Sequence, residues 1–134
     1  MTVAENFKLL KSVNDCQIEE LKEVARTYDV NNCGEFYRRV RNTESAVIHT
    51  YQITAYASLE EADPKNASDL WKQMVDFCDS ALKILRELKE RFPNCGASEV
   101  YNTTLDYRSQ AHKRYIQNLE DAECQRTIPK GLFP

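Results

Sequence analysis

The sequence predicts an all-α fold: an antiparallel, up-down four-helix bundle with a short additional N-terminal helix and an apolar C-terminal tail. Apolar residues recur at steps of three and four along several long segments, and short polar breaks with helix-capping residues separate these segments. Only 3 glycines and 4 prolines interrupt the 134 residues. This length suits a single domain over residues 1–134, with the tail at 126–134.

The N-terminal part of the chain is expected to form two helices. Asn14 and Gln17 have the spacing of a capping box, which would end a short leading helix and start a longer one. In the longer helix, Ile18, Leu21 and Tyr28 would lie on one inward face.

Three long helices should follow. The first opens at Asn32 and Glu35, a second capping box, and ends before Pro64, because the residue before a proline disfavours the helical conformation. The next covers about residues 68–91 and should be central, since its apolar residues fill about half of its circumference. The last covers about residues 97–124. Its predicted inward residues are Tyr101, Leu105, Tyr115, Leu119 and Ala122.

Charge and cysteine content limit the class of protein. With 18 basic and 21 acidic side chains, the net charge of −3 argues against binding nucleic acid through the whole surface. No stretch is long and apolar enough for a membrane span, and the N-terminus lacks the features of a secretory signal. Five cysteines without a CxxC pair predict reduced thiols in a cytoplasmic protein. No motif predicts a metal site or a cofactor.

Two charged residues interrupt the predicted apolar faces. Glu44 and Arg108 each fall near the middle of an apolar arc, at similar depth on helices that should run parallel. We therefore expect them to meet inside the bundle, with His112 one turn further on. One interpretation is a buried ion pair that fixes the order of the helices. The other is a small-ligand pocket completed by the hydroxyl groups of Tyr51 and Tyr115.

Arg108 and His112, on one helix face, resemble the Arg…His motif of the HEPN ribonucleases, which are small all-helical domains. That motif has four to six intervening residues, whereas three separate the pair here. The resemblance covers one helix and assigns the chain to no family. It implies that both residues would contact the scissile phosphate at a dimer interface.

A candidate anion or partner patch lies at the start of the helix that follows Asn32. It consists of Tyr37, Arg38, Arg39 and Arg41. The helix dipole disfavours cations in the first turns, so either nearby acids or a bound partner should offset the three arginines.

These residues favour a non-catalytic interaction or adaptor module that binds another protein or a second copy of itself. One alternative is a nucleic-acid-binding or ribonuclease-like helical domain that uses Arg38, Arg39, Arg41, Arg108 and His112. Another is a small-ligand sensor with a polar pocket inside the bundle. A membrane partner is not expected.

Overall fold

The computed structural model describes residues 2–127, which form four α-helices and one short 3-10 turn. Their bounds are Val3–Thr27 (α1), Val30–Asn32 (the 3-10 turn), Cys33–Glu60 (α2), Pro64–Arg91 (α3) and Ala97–Thr127 (α4). No strand occurs within these residues, so the predicted all-α bundle is confirmed. Arg126 and Thr127 still belong to α4, and the rest of the predicted tail lies outside the described residues.

The N-terminal part of the chain is one continuous helix, and the predicted break at Asn14 is wrong. Inward positions continue through this point at alternating steps of three and four. They are Phe7, Leu10, Asn14, Gln17, Leu21, Val24 and Tyr28. Asn14 is only 4% exposed, and its Oδ1 accepts a hydrogen bond from the Thr50 hydroxyl at 2.9 Å. Because this side chain bonds to α2, it is not available to cap a new helix.

The helices alternate in direction along the bundle. Residues 14, 17 and 20 of α1 bond to residues 50, 43 and 39 of α2 in that order, so these two helices are antiparallel. Residues 41 and 44 of α2 bond to residues 99 and 103 of α4, so these two helices are parallel, as the short loops predict. Within the described chain α1 does not touch α4, which places them at opposite corners.

Helix α3 begins at Pro64, four residues before the predicted start at about residue 68, and the cap of α2 also differs from the prediction. Asp63 caps α3 by accepting a hydrogen bond from the Lys65 backbone N–H at 2.9 Å, and Pro64 occupies the first helical position. The predicted capping box at the start of α2 does not form. Instead, Asn32 Nδ2 donates to Glu35 Oε2 at 2.8 Å, and the Asn32 side chain accepts no backbone bond.

The core consists of two clusters stacked along the bundle. The first lies near the turns after α1 and α3 and contains Leu21, Val24, Ala25, Phe36, Val40, Ala81, Ile84, Leu85, Leu88, Cys95, Ala97 and Val100. The second lies further along and contains Val47, Trp71, Met74, Val75, Phe77, Cys78 and Ala111. Ile18 packs against both clusters and joins them. As predicted, α3 is central: α2 and α3 each contact all the other helices, but α3 has 13 buried residues and α2 has 6.

The buried face of α4 differs from the prediction. Its fully buried residues are Ala97, Val100, Thr104 and Ala111. Leu105, which was predicted to be inward, is 44% exposed. The reason is volume: the buried face of α3 carries large side chains such as Trp71 and Met74, and small residues on α4 let the two helices approach closely.

No disulfide bond joins the cysteines in the part of the chain that the structure describes; Cys78 and Cys95 are buried. Over the same residues, none of the helices combines the length and the apolar content that crossing a membrane requires.

Candidate functional site

Glu44 and Arg108 do not meet, and the expectation of a buried pair between them is wrong. Arg108 Nε donates to Asp79 Oδ1 of α3 at 2.9 Å. Glu44 instead lies at the α2–α4 interface, where it accepts from the Thr103 hydroxyl at 3.1 Å and pairs with Arg41 at 3.3 Å. Arg108 lies at the edge of the α3–α4 interface, because small residues occupy the inward positions of α4.

Both charges are partly in contact with solvent. The side chains of Arg108 and Glu44 are 34% and 21% exposed. The hydrogen bond with Asp79 raises the pKa of Arg108 above its usual value. Neither residue is therefore an isolated buried charge of the kind that would need the other as its partner.

The other members of the predicted polar cluster are distributed along α2 and α4. The Tyr51 hydroxyl accepts a hydrogen bond from Arg114 Nε at 3.1 Å. His112 and Tyr115 are half-buried, with ring centroids 6.2 Å apart. No hydrogen bond or ion pair within residues 2–127 links any of these three to Glu44 or Arg108.

An aromatic cluster that the sequence analysis missed occupies this part of the bundle. The Tyr51 ring lies 5.2 Å from the Trp71 ring and 5.1 Å from the Tyr107 ring, between centroids. The Arg114 guanidinium lies over Trp71 at 5.2 Å from the ring centroid. The seven-residue spacing of Tyr107 and Arg114, which places them on one side of α4, was the available signal.

Carboxylates compensate two of the three arginines at the start of α2. Arg39 pairs with Glu20 of α1, and this hydrogen bond is the main reason that the pKa of Arg39 is raised. Arg41 pairs with Glu99 of α4 at 2.7 Å. Arg38 is exposed and forms no ion pair within residues 2–127. The patch is thus largely a set of contacts between helices.

Tyr37, the aromatic member of that patch, packs on the turn between α3 and α4. Gly96 in this turn has φ of +81°, and a Cβ there would lie 2.6 Å from Tyr37 Cε2. A glycine is needed at residue 96 both for this backbone conformation and for the close approach of the ring. Tyr37 therefore ties the start of α2 to the turn between α3 and α4, which lies at the same end of the core.

A groove between α3 and α4, which we call the basic groove, combines cations with apolar groups. It has a volume of about 400 Å³, and its lining residues are Asp79, Leu82, Lys83, Arg86, Tyr101, Leu105 and Arg108. Arg86 Nη2 donates to the Tyr101 hydroxyl at 3.1 Å, and Lys89 Nζ lies 4.4 Å from the centroid of the same ring. This groove was not predicted from the sequence, because Tyr101 and Leu105 were expected in the core.

A second groove, between α1 and α3, contains a buried amide without a partner. Gln73 Nε2 is buried and makes no hydrogen bond within the described residues. The groove has a volume of about 570 Å³, and its lining combines the apolar side chains of Phe7, Ile18 and Phe77 with polar and charged ones: Lys11, Asn14, Asp15, Asp69, Lys72, Asp76 and Ser80. Buried amide donors are almost always bonded, so Gln73 is an exception among the described residues, and its side chain would have to turn into the groove to reach the oxygen atom of a ligand.

Residues 2–127 bring together no group of three or more side chains that could hold a metal ion. Compared with known family models, curated proteins and solved structures, the chain shows no significant match.

Proposed function

We propose that the chain is a non-catalytic helical interaction module that binds another protein or a second copy of itself. The observation that supports this most directly is the set of large apolar side chains on its surface. Four of these side chains form two pairs one turn apart, Leu9 and Val13 on α1 and Tyr56 and Leu59 on α2. Leu59 is 83% exposed. Single exposed apolar residues are ordinary, whereas contiguous apolar surface marks interaction sites, and each pair places two such side chains side by side.

The contacts of the charged candidates also favour a scaffold over a nucleic-acid-binding protein. Arg39 and Arg41 face carboxylates of α1 and α4, and Arg108 faces Asp79 of α3. Because these pairs lower the local positive potential, they leave less charge for phosphate groups. The same pairs lie between helices and hold the surfaces in fixed relative positions.

The test is site-specific photo-crosslinking in cells that express the protein. A photoreactive phenylalanine at Tyr56 or Val13 should give a discrete product, either a dimer of this chain or a complex with one partner. The matched control is Lys22, an exposed polar position of α1 that forms an ion pair with Glu19. Equal labelling from all three positions, or no product from any, would contradict the proposal.

Substitutions then separate interaction from folding. The double variants L9S/V13S and Y56S/L59S should keep the wild-type melting temperature, because exposed side chains contribute little to stability. At least one of them should lose the crosslinked product. A fall of more than about 5 °C in both variants would instead assign these side chains to folding.

The α1–α3 groove supports a second candidate, the binding of a small molecule that carries a hydrogen-bond acceptor. Benzamide is a suitable first probe, because its ring could pack against Phe7, Ile18 and Phe77 and its carbonyl oxygen could accept from Gln73 once that side chain turns into the groove. If the groove is a binding site, benzamide should raise the melting temperature of the wild type but not of Gln73→Leu. Equal shifts for both proteins, or none, would remove this candidate.

A further inference from the structure

We infer that the basic groove between α3 and α4 binds an acidic, amphipathic helical segment of a partner protein. The inference rests on the proposed interaction function and specifies the chemistry of the partner. It depends on the unpaired cations of the groove, on the apolar side chains beside them and on the groups that surround Tyr101.

Unpaired cations are concentrated at this place. Lys83, Arg86 and Lys89 form no ion pair within residues 2–127. Other cations of the same helix do: Lys65, Lys72 and Arg91 each pair with a carboxylate four residues away. In a chain whose net charge is −3, the groove is therefore a local basic surface.

The spacing of these cations favours an anionic partner. Lys83 and Arg86 are three residues apart, as are Arg86 and Lys89, and like charges at this spacing on a helix repel each other. Asp79, Glu87 and Glu90 lie four residues from Lys83 or Arg86 and offset part of this repulsion, but Asp79 and Glu87 already pair with Arg108 and Arg91. Carboxylates of a partner would relieve this repulsion. Charge complementarity of this kind also raises the rate of association and selects the partner.

Apolar side chains lie beside the cations, so a partner with charge alone does not match the groove. Leu82 is buried at its base, while Leu105 is exposed and Tyr101 half-buried on the α4 side. A helical segment with carboxylates on one edge and a leucine-type stripe next to them matches both features. With a volume of about 400 Å³, the groove accepts a few side chains of a helix that lies along it.

The surroundings of Tyr101 disfavour a nucleic acid as the occupant. Arg86 and Lys89 lie over its ring, at 6.0 and 4.4 Å from the centroid, so the ring is not free to stack on a base. Asp79 lines the groove, and Glu90 lies close enough to contribute to the pKa of Arg86. These carboxylates would repel a continuous phosphate backbone, whereas a peptide helix can place its separate carboxylates away from them.

The test uses the full chain and a labelled acidic peptide of about 18 residues, or five helical turns, with glutamates and leucines on one face. Fluorescence anisotropy at low salt measures the dissociation constant. K83Q/R86Q/K89Q should weaken binding at least about tenfold. The matched control is K8Q/R38Q/K113Q, which removes three exposed cations without ion pairs from the other helices and should change binding less than about twofold. Circular dichroism confirms that both variants fold.

Two further measurements separate this groove from general charge attraction. Leu105→Ser should weaken binding of the peptide without changing the net charge. A peptide with the same composition but a scrambled order, which has no apolar stripe, should bind more weakly than the amphipathic peptide. Equal losses for the two triple variants, no effect of Leu105→Ser, or tighter binding of a uridine oligonucleotide through Lys83, Arg86 and Lys89 would each overturn the inference.

The two proposals can fail separately. If photo-crosslinks persist in cells but do not depend on Lys83, Arg86 and Lys89, and the acidic peptide does not bind, the interaction function stands and the chemistry of the groove is wrong. If the chain gives no crosslinks from any position, the interaction function itself is wrong.

Discussion

Cys78 lies in the second core cluster with its side chain fully buried, and this burial raises the pKa of its thiol to about 12. The pKa of Cys95, in the first cluster, is raised by burial as well. Both thiols are therefore neutral at physiological pH. A nucleophilic cysteine requires the thiolate form, so these two act as small core residues.

The shifted pKa of Cys78 predicts a loss of stability at alkaline pH. The unfolded thiol loses its proton above its ordinary pKa of 9.0, whereas the folded one keeps it until about 12. The free energy of unfolding should therefore be unaffected below about pH 9 and fall above it, by up to about 1.4 kcal/mol per pH unit. Urea unfolding between about pH 8 and 11 tests this, with Cys78→Ala as the control. The free energy of unfolding of this variant should fall less steeply with pH than that of the wild type. Equal slopes for the two proteins would contradict the prediction.

Substitution by alanine should change the free energy of unfolding in opposite directions at two glycines. Gly96 has a positive φ, and Tyr37 occupies the space of its missing Cβ, so Gly96→Ala should lower the free energy of unfolding by about 1–2 kcal/mol. Gly34 lies in the first turn of α2 with nothing within 4 Å of the position of a Cβ, so Gly34→Ala should raise it by up to about 1 kcal/mol. Urea midpoints measure both, and changes of the same sign would refute this account of Gly96.

At the scale of the helices, polar residues at inward positions determine how the elements pair. Asn14 and Gln17 of α1 bond to Thr50 and Thr43 of α2. Because both bonds lie between helices, a shift of α1 along α2 by one turn would leave these groups without partners. The sequence shows the same residues as helix-capping signals, and only the neighbouring helix distinguishes the two roles.

The pairing of Arg108 gives a prediction at this scale. Arg108→Gln and Asp79→Asn should show a coupling energy of about 0.5 kcal/mol or more, modest because both side chains are partly exposed. Arg108→Gln and Glu44→Gln should be additive, with coupling below about 0.3 kcal/mol, since the two residues have different partners. Double-mutant cycles from urea unfolding measure both. A stronger coupling to Glu44 than to Asp79 would restore the buried pair expected from the sequence.

At the scale of the whole molecule, the two core clusters form one continuous core, because α3 contributes buried residues to both of them. Ile18 of α1 packs against both, so neither cluster is isolated from the other. The aromatic side chains of Tyr28 and Phe92 close one end of the first cluster, with ring centroids 4.0 Å apart. This continuity favours a single cooperative unfolding transition.

Two probes, one in each cluster, test that cooperativity. Fluorescence of Trp71, the only tryptophan, reports on the second cluster, and alkylation of the buried Cys95 thiol reports on the first. In a C16S/C33S/C78A/C124S background, which leaves Cys95 as the one remaining cysteine, both probes should give the same urea midpoint. Alkylation of Cys95 at lower urea concentrations than the change in Trp71 fluorescence would show that the end of the bundle near the turns unfolds first.

The sequence by itself determined the all-α class, the boundary at Asp63 and Pro64, the buried face of α3 and the parallel direction of α2 and α4. These features follow from local conformational preference, apolar periodicity and short loops, which act within one helix or between consecutive helices. Only the tertiary structure decided which face of α4 is buried and where Arg108 finds its partner. Small residues such as Ala111 carry a weak hydrophobic signal, and they are buried because the large side chains of α3 need space opposite them. Leu105 and the basic groove are left on the surface as a result.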